Sequence, residues 1–137
     1  MTNEVLMLTG GCYCGAIRYE ADGTPRDETN CHCSICRRTT GAPFVTWFSV
    51  RLTEFRMVNG IPAQFNSTEK GTRSFCSRCG TQIAFKHADF PDLVDITTSS
   101  LDNPDLVPPR DNTRTSSRLG WIVQDGLPDY RESRQLG

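Results

Sequence analysis

Cys76-Ser77-Arg78-Cys79-Gly80 is a C-x-x-C-G knuckle, and the rest of the chain is read outward from it. Two thiolates at this spacing reach one cation from a single tight turn, and the glycine that follows tolerates the positive φ such a turn needs. Alone, the pair is equally a redox dithiol. Far upstream, Cys12-Tyr13-Cys14-Gly15 is a second pair closed by glycine. Together the two pairs point to one tetrahedral four-cysteine zinc site tying the first strands to the region of residues 72–86. Two disulfides, or one knuckle beside buried thiols, are the competing readings. A closed four-cysteine site offers no open position, so its contribution is to folding.

A third set differs in kind. Cys31-His32-Cys33-Ser34-Ile35-Cys36 packs three thiols into six residues. Ser34 is a good N-cap for a short helix, with Arg37 and Arg38 in its last turn and Gly41 at its end. Pro43 forbids its continuation. On such a helix Cys33 and Cys36 share a face, Cys31 joins from the extended segment before it, and the helix start favours thiolates. Three ligands leave the fourth tetrahedral position for water or substrate, as in catalytic zinc sites. The alternatives are a second structural zinc completed from elsewhere, for instance by His87, or a set of free or redox-active thiols. His32 sits between two ligands, so its side chain is expected to face away from them and form hydrogen bonds or meet solvent. His87, beside Asp89 at a strand end, reads as a surface residue.

Around the cysteines, strand signals dominate. Gly15-Ala16-Ile17-Arg18-Tyr19-Glu20-Ala21 alternates and ends at Asp22-Gly23, and Pro43-Phe44-Val45-Thr46-Trp47-Phe48-Ser49-Val50 is aromatic and β-branched. Residues 55–58 run into Asn59-Gly60, a turn pair, and residues 72–75, 81–86 and 93–98 complete the strand set. Leu52-Thr53-Glu54 fits one helical turn. Residues 103–118 hold Pro104, Pro108 and Pro109 and little apolar pattern, which predicts a long loop, over the site or at the surface. Trp47, Phe48 and Trp121 are expected in the core, with an interface as the alternative. The fold class is therefore mainly β, of short antiparallel strands with one or two short helices. Its 137 residues suit one domain spanning 1–137, with a core of about 8–130.

Composition narrows the function classes. The chain has seven cysteines, and an odd count suits ligands better than a closed disulfide framework. In a reducing compartment, clustered cysteines are more often metal ligands or reactive groups than disulfides. The first ten residues lack a basic segment followed by an apolar run, and no stretch is long and apolar enough to span a bilayer. A cytoplasmic protein with no membrane partner is the expectation. The formal net charge is −1 with neutral thiols, and zinc held by thiolates makes it more negative. This argues against a nucleic-acid partner, which calls for a basic excess.

Three motifs in order then match one family. Gly10-Gly11-Cys12-Tyr13-Cys14-Gly15, Cys31-His32-Cys33-Ser34-Ile35-Cys36-Arg37 and Phe75-Cys76-Ser77-Arg78-Cys79-Gly80 resemble the glutathione-dependent formaldehyde-activating enzymes, a family that extends to the domain of centromere protein V. Ser117-Arg118-Leu119-Gly120-Trp121-Ile122, with Asp125-Gly126-Leu127-Pro128, looks like the family's closing signature, so the resemblance covers about residues 10–130. Asn112 stands where many members carry histidine, and Gly120 where proline often precedes the tryptophan. The resemblance implies an Mss4-like zinc-dependent β fold with two Zn2+ per chain. It implies Cys12, Cys14, Cys76 and Cys79 as ligands of the structural zinc, and Cys31, Cys33 and Cys36 as ligands of the catalytic one. It further implies a carbon–sulfur lyase acting on a thiol–aldehyde adduct such as S-hydroxymethylglutathione, with a small-molecule thiol as partner.

Glutathione carries two carboxylates, so arginines near the site are useful. Arg37, directly after Cys36, is the first candidate contact for an anionic substrate, with Arg38, Arg110, Arg114 and Arg118 behind it. The alternative function is a non-catalytic zinc-binding module that recognises a protein or nucleic acid. The sequence leaves the oligomeric state open.

Overall fold

The computed structural model describes residues 7–134; the reading of the first six residues lies outside them. Among the described residues, ten strands form two sheets. Strands β1 (Leu8–Gly11), β2 (Arg18–Ala21) and β5 (Phe55–Asn59) make a three-stranded sheet in the order β1-β2-β5. The larger sheet has the order β10-β3-β4-β9-β8-β7-β6. It is built from β3 (Arg26–Cys31), β4 (Val45–Arg51), β6 (Ala63–Asn66), β7 (Gly71–Phe75), β8 (Gln82–His87), β9 (Leu93–Thr97) and β10 (Asp111–Thr113). The mainly β class is as expected, and every pairing is antiparallel except β10 on β3.

Alternation along the strands gives the larger sheet two different faces. Phe48 and Val50 of β4, Val94 and Ile96 of β9 and Ala84 of β8 turn to one side. There they pack with Leu8, Tyr19 and Ala21 of the small sheet, supported by Phe55 and Met57. This is the main core, and its most enclosed side chains include Tyr19, Phe48, Ile83 and Ile96. The intervening residues Trp47, Phe85 and Asp95 face the other way. On that side Val45 and Trp47 join Cys36, with Cys31, Cys33 and Phe85 packed against them.

One α-helix, α1 (Ser34–Thr40), follows β3. Its N-cap is Cys33 rather than the expected Ser34: the Cys33 sulfur accepts the Cys36 N–H, so a prospective ligand does the work a serine hydroxyl would have done one residue later. Gly41 ends the helix as expected, its N–H returning to the Arg37 carbonyl. Leu52–Glu54 forms a 3-10 turn at the place anticipated.

Residues 103–118 do not form a plain loop. A 3-10 turn at Pro104–Leu106 leads into β10, which is buried at all three positions and lies parallel to β3. A further 3-10 turn spans Thr115–Ser117. Its polar sequence hid this strand, because Asp111-Asn112-Thr113 is stabilised by polar partners and not by apolar burial. Asn112 Oδ1 accepts from Asn30 Nδ2 at 3.1 Å and from His32 Nε2 at 3.2 Å, while its Nδ2 donates to Asp125 and Asp129. Backbone bonds from Asn112 N to the Pro128 carbonyl and from Tyr130 N to the Asn112 carbonyl bring the C-terminal segment alongside. Arg134 then clamps Asp111 through two hydrogen bonds of 2.8 and 2.7 Å. Trp47 and Phe48 are buried as expected, whereas Trp121 is 69% exposed.

Candidate metal centres

The two glycine-terminated pairs meet. Cys12 and Cys14 lie in the connection from β1 to β2, and Cys76 and Cys79 in the turn from β7 to β8. All four sulfurs fall within 4.8 Å of one another. The cluster therefore spans the two sheets. The Cys12 and Cys14 sulfurs are 3.6 Å apart and those of Cys14 and Cys76 3.8 Å. A disulfide needs about 2.05 Å. Four thiolates about 2.3 Å from one zinc stand about 3.8 Å apart at the corners of a tetrahedron, so the donor set fits zinc.

Local backbone explains how the pairs reach this arrangement. Gly15 and Gly80, the residues after each pair, have φ of 82° and 84°, a conformation that costs other residues. Each turn then aims N–H groups at sulfur. Ile17 N donates to Cys12 Sγ at 3.2 Å, and Arg78 N and Cys79 N to Cys76 Sγ at 3.4 Å. Against the effect of burial, the bond from Ile17 helps to hold the Cys12 thiol below its usual value. The hydroxyl of Thr81 also helps to pull the Cys79 thiol down to about 5.

The second cluster contains Cys31, Cys33 and Cys36, again within 4.8 Å, with 3.6 Å between the sulfurs of Cys31 and Cys36. Cys31 ends β3, Cys33 caps α1 and Cys36 sits in its first turn, buried. No histidine or carboxylate among the described residues completes the set to four. Hydrogen bonds from Cys31 and Cys36 hold the Cys33 thiol far below its usual range, while the same network and burial push Cys31 up. In this arrangement negative charge concentrates on Cys33.

A cavity of about 750 Å3 opens beside the three sulfurs. Its walls include Trp47, Phe85, Phe90 and Leu93, with Ser49, Arg73 and Asp95 as polar groups. The strand registers explain the row: Ser49 pairs with Asp95, Asp95 with Phe85, and Phe85 with Arg73, so four adjacent strands each contribute one side chain to the same face. Burial lifts the Asp95 carboxyl to about 6, and Ser49 Oγ donates to its Oδ1. Asp27 and Arg114, the non-glycine residues with positive φ among those described, both line this cavity. Such backbone positions recur at functional sites.

The remaining sequence candidates fall at varied distances from this cavity. His87 lines it, but its Nδ1 accepts the Asp89 N–H and it stands outside the sulfur cluster. His32 is buried, its ring donating to Asn112, and burial lowers its pKa. Arg37 is absent from the cavity lining and donates to the Ser117 carbonyl at 3.4 Å. Arg110, Arg114 and Arg118 each pair with a carboxylate, from Glu28, Glu132 and Asp129 respectively. The arginine against the cysteines is Arg73, which sequence reasoning passed over. It stands alone in a polar strand three residues before Cys76, and only the register with β8 shows which face it takes.

Known proteins resemble this chain in sequence and in fold. The family model for the glutathione-dependent formaldehyde-activating enzyme matches residues 7–117. A Halomonas elongata protein provisionally named glutathione-dependent formaldehyde-activating enzyme is 29% identical over 129 residues, covering 85% of this chain and 80% of that one. A Schizosaccharomyces pombe protein described as an uncharacterised lyase is 30% identical over 80 residues, 58% of each chain. In fold, a crystal structure of a Rhodobacter sphaeroides protein matches with a TM-score of 0.59 at 20% identity, covering 89% of this chain and 98% of that one. With its family model matched over most of its length, the chain belongs to the glutathione-dependent formaldehyde-activating enzyme family.

Proposed function

We propose that this protein is a zinc-dependent carbon–sulfur lyase that makes and breaks the bond between a small thiol, glutathione being the leading candidate, and formaldehyde. In this reading Cys12, Cys14, Cys76 and Cys79 hold a structural Zn2+ within one domain. Cys31, Cys33 and Cys36 hold the catalytic one. The observation that carries the proposal is the position of the second cluster: three converging sulfurs, with no fourth side-chain donor among the described residues, on the wall of a cavity of small-molecule size. When bound there, Zn2+ supplies a Lewis acid and keeps a nearby thiol deprotonated near neutral pH.

The chain's own groups supply the rest. Trp47 and Phe85 pack in one cluster with the three cysteines and cover part of the cavity wall. In the forward direction the thiol sulfur attacks the aldehyde carbon, the carbon–oxygen π pair moves to oxygen, and the proton that left the thiol ends on that oxygen. The reverse reaction returns it as the carbon–sulfur bond breaks. Asp95, with its carboxyl lifted to about 6, holds that proton in transit.

Native mass spectrometry of the reduced protein, with a formaldehyde-consumption assay, tests this reading. The expected result is two zinc ions per chain, a glutathione adduct, and turnover that Cys36→Ala abolishes. One zinc per chain, or undiminished turnover in Cys36→Ala, would overturn it.

A further inference from the structure

Arg73 is 4% exposed. A guanidinium that enclosed is costly unless charge and hydrogen bonds match it. Yet no carboxylate among the described residues pairs with it. Its Nε donates to Ser67 Oγ at 3.0 Å, and its Nη2 to Cys36 Sγ at 3.6 Å. Its plane lies against Phe85 and Trp47, with centroids 5.0 and 5.9 Å from Cζ. The remaining nitrogen, Nη1, is buried with no partner among the described residues. The anionic group that Arg73 reaches by a hydrogen bond is therefore the sulfur cluster, and one arm of its fork is unused.

We propose that Arg73 selects what occupies the open corner of the three-cysteine cluster, with Nη1 donating to an anionic sulfur, the thiolate of the substrate, as Nη2 donates to Cys36. This rests on the reading above that the cluster holds a divalent cation with one corner free. Geometry supports it. The two terminal nitrogens of a guanidinium form a fixed fork suited to two neighbouring acceptors. Nη2 already donates to Cys36 Sγ and Nη1 is buried without a partner among the described residues, so a sulfur held beside Cys36 would be the neighbouring acceptor. Charge supports it as well. Three thiolates on a divalent cation already carry one net negative charge, which disfavours a fourth thiolate. The fixed positive charge of Arg73, in a site walled by aromatic rings, offsets that repulsion. Lysine keeps the charge but loses the fork.

The test uses protein reconstituted with Co2+, whose sulfur-to-metal absorption reports thiolate binding directly. It compares wild type, Arg73→Lys and Arg73→Gln, with 2-mercaptoethanol as the anionic probe and imidazole as the neutral one. Arg73→Gln should bind two Co2+ per chain, weaken 2-mercaptoethanol binding about tenfold or more and leave imidazole binding unchanged. Arg73→Lys should fall between, and it carries the test if the glutamine variant does not fold. Thiol affinity within about twofold of wild type in Arg73→Lys and in any folded Arg73→Gln would overturn the role of Arg73 alone. A wild type that binds one Co2+ per chain would overturn the open second site, and this inference with it.

Discussion

The two cysteine clusters use the same donor atom in opposite settings. The four-cysteine cluster joins the β1–β2 connection to the β7–β8 turn, and so closes one sheet on the other. Its thiols take hydrogen bonds from the backbone of their own turns, and its cysteines do not line the cavity beside the second cluster. The three-cysteine cluster ties only the end of β3 to the first turn of α1, two neighbouring segments. It sits on a cavity wall, and its hydrogen bond from outside comes from the side chain of Arg73. The first cluster spans distant parts of the fold, which is what stability needs. The second offers three sulfurs on a cavity wall, which is what the proposed chemistry needs.

Cys79→Ala breaks the comparison most severely on the stability side. The apparent free energy of a structural zinc is on the order of 10 kcal/mol, comparable with the whole stability of a domain this size. The expected outcome is insoluble or unfolded protein. A soluble variant with unchanged circular dichroism would show that the four-cysteine cluster is not what closes the fold.

Cys36→Ser provides the contrast. Loss of this ligand should remove one of two zinc ions per chain while the β-sheet circular dichroism survives, since the main core lies on the other face of the large sheet. Zinc stoichiometry measured beside thermal melting distinguishes the outcomes. Global unfolding would mean that both clusters are structural.

Asn112→Ala tests the polar frame around the second cluster. Asn112 is buried and receives or donates hydrogen bonds to Asn30, His32, Asp125 and Asp129. Its loss strands several of these groups, at about 1–3 kcal/mol for a buried unsatisfied group. Urea unfolding should show a loss of about 2–3 kcal/mol. Zinc at the four-cysteine cluster should be retained.

These contrasts also explain what the sequence made legible. Cysteine spacing located both clusters, helped at the first by the glycine after each pair, because ligand spacing within each motif is strict. The strands at Val45–Arg51 and Leu93–Thr97 were visible through apolar and β-branched residues. Arg26–Cys31 and Asp111–Thr113 were not, because their sequences, RDETNC and DNT, carry no apolar period. Their stability comes from side-chain hydrogen bonds between segments about eighty residues apart, which no local window contains. Arg73 was missed for the same reason. Its position against Cys36 depends on strand register, a long-range property.

The smallest effect concerns the cost of the cavity itself. Burial raises the Asp95 carboxyl from 3.8 to about 6. The folded state thus binds the proton more tightly than the unfolded chain. The stabilising contribution of that proton is complete below about pH 4 and is lost as pH rises through about 6. Above that, the fold carries an ionised carboxylate in a poorly solvated place. Asp95→Asn removes the charge while its Oδ1 can still accept from Ser49 Oγ. A rise of this size corresponds to at most about 3 kcal/mol, and the open side of the cavity lowers this to about 1–2. The variant should therefore be more stable than wild type by that amount at about pH 7.5 in urea unfolding, with the gain fading towards pH 4. A pH-independent gain would assign it to packing. No gain would mean that Asp95 is well solvated, and the proposed proton-holding role would go with it. A gain in stability accompanied by lower turnover would identify Asp95 as a group kept for chemistry at the expense of the fold, a cost that the four-cysteine cluster does not carry.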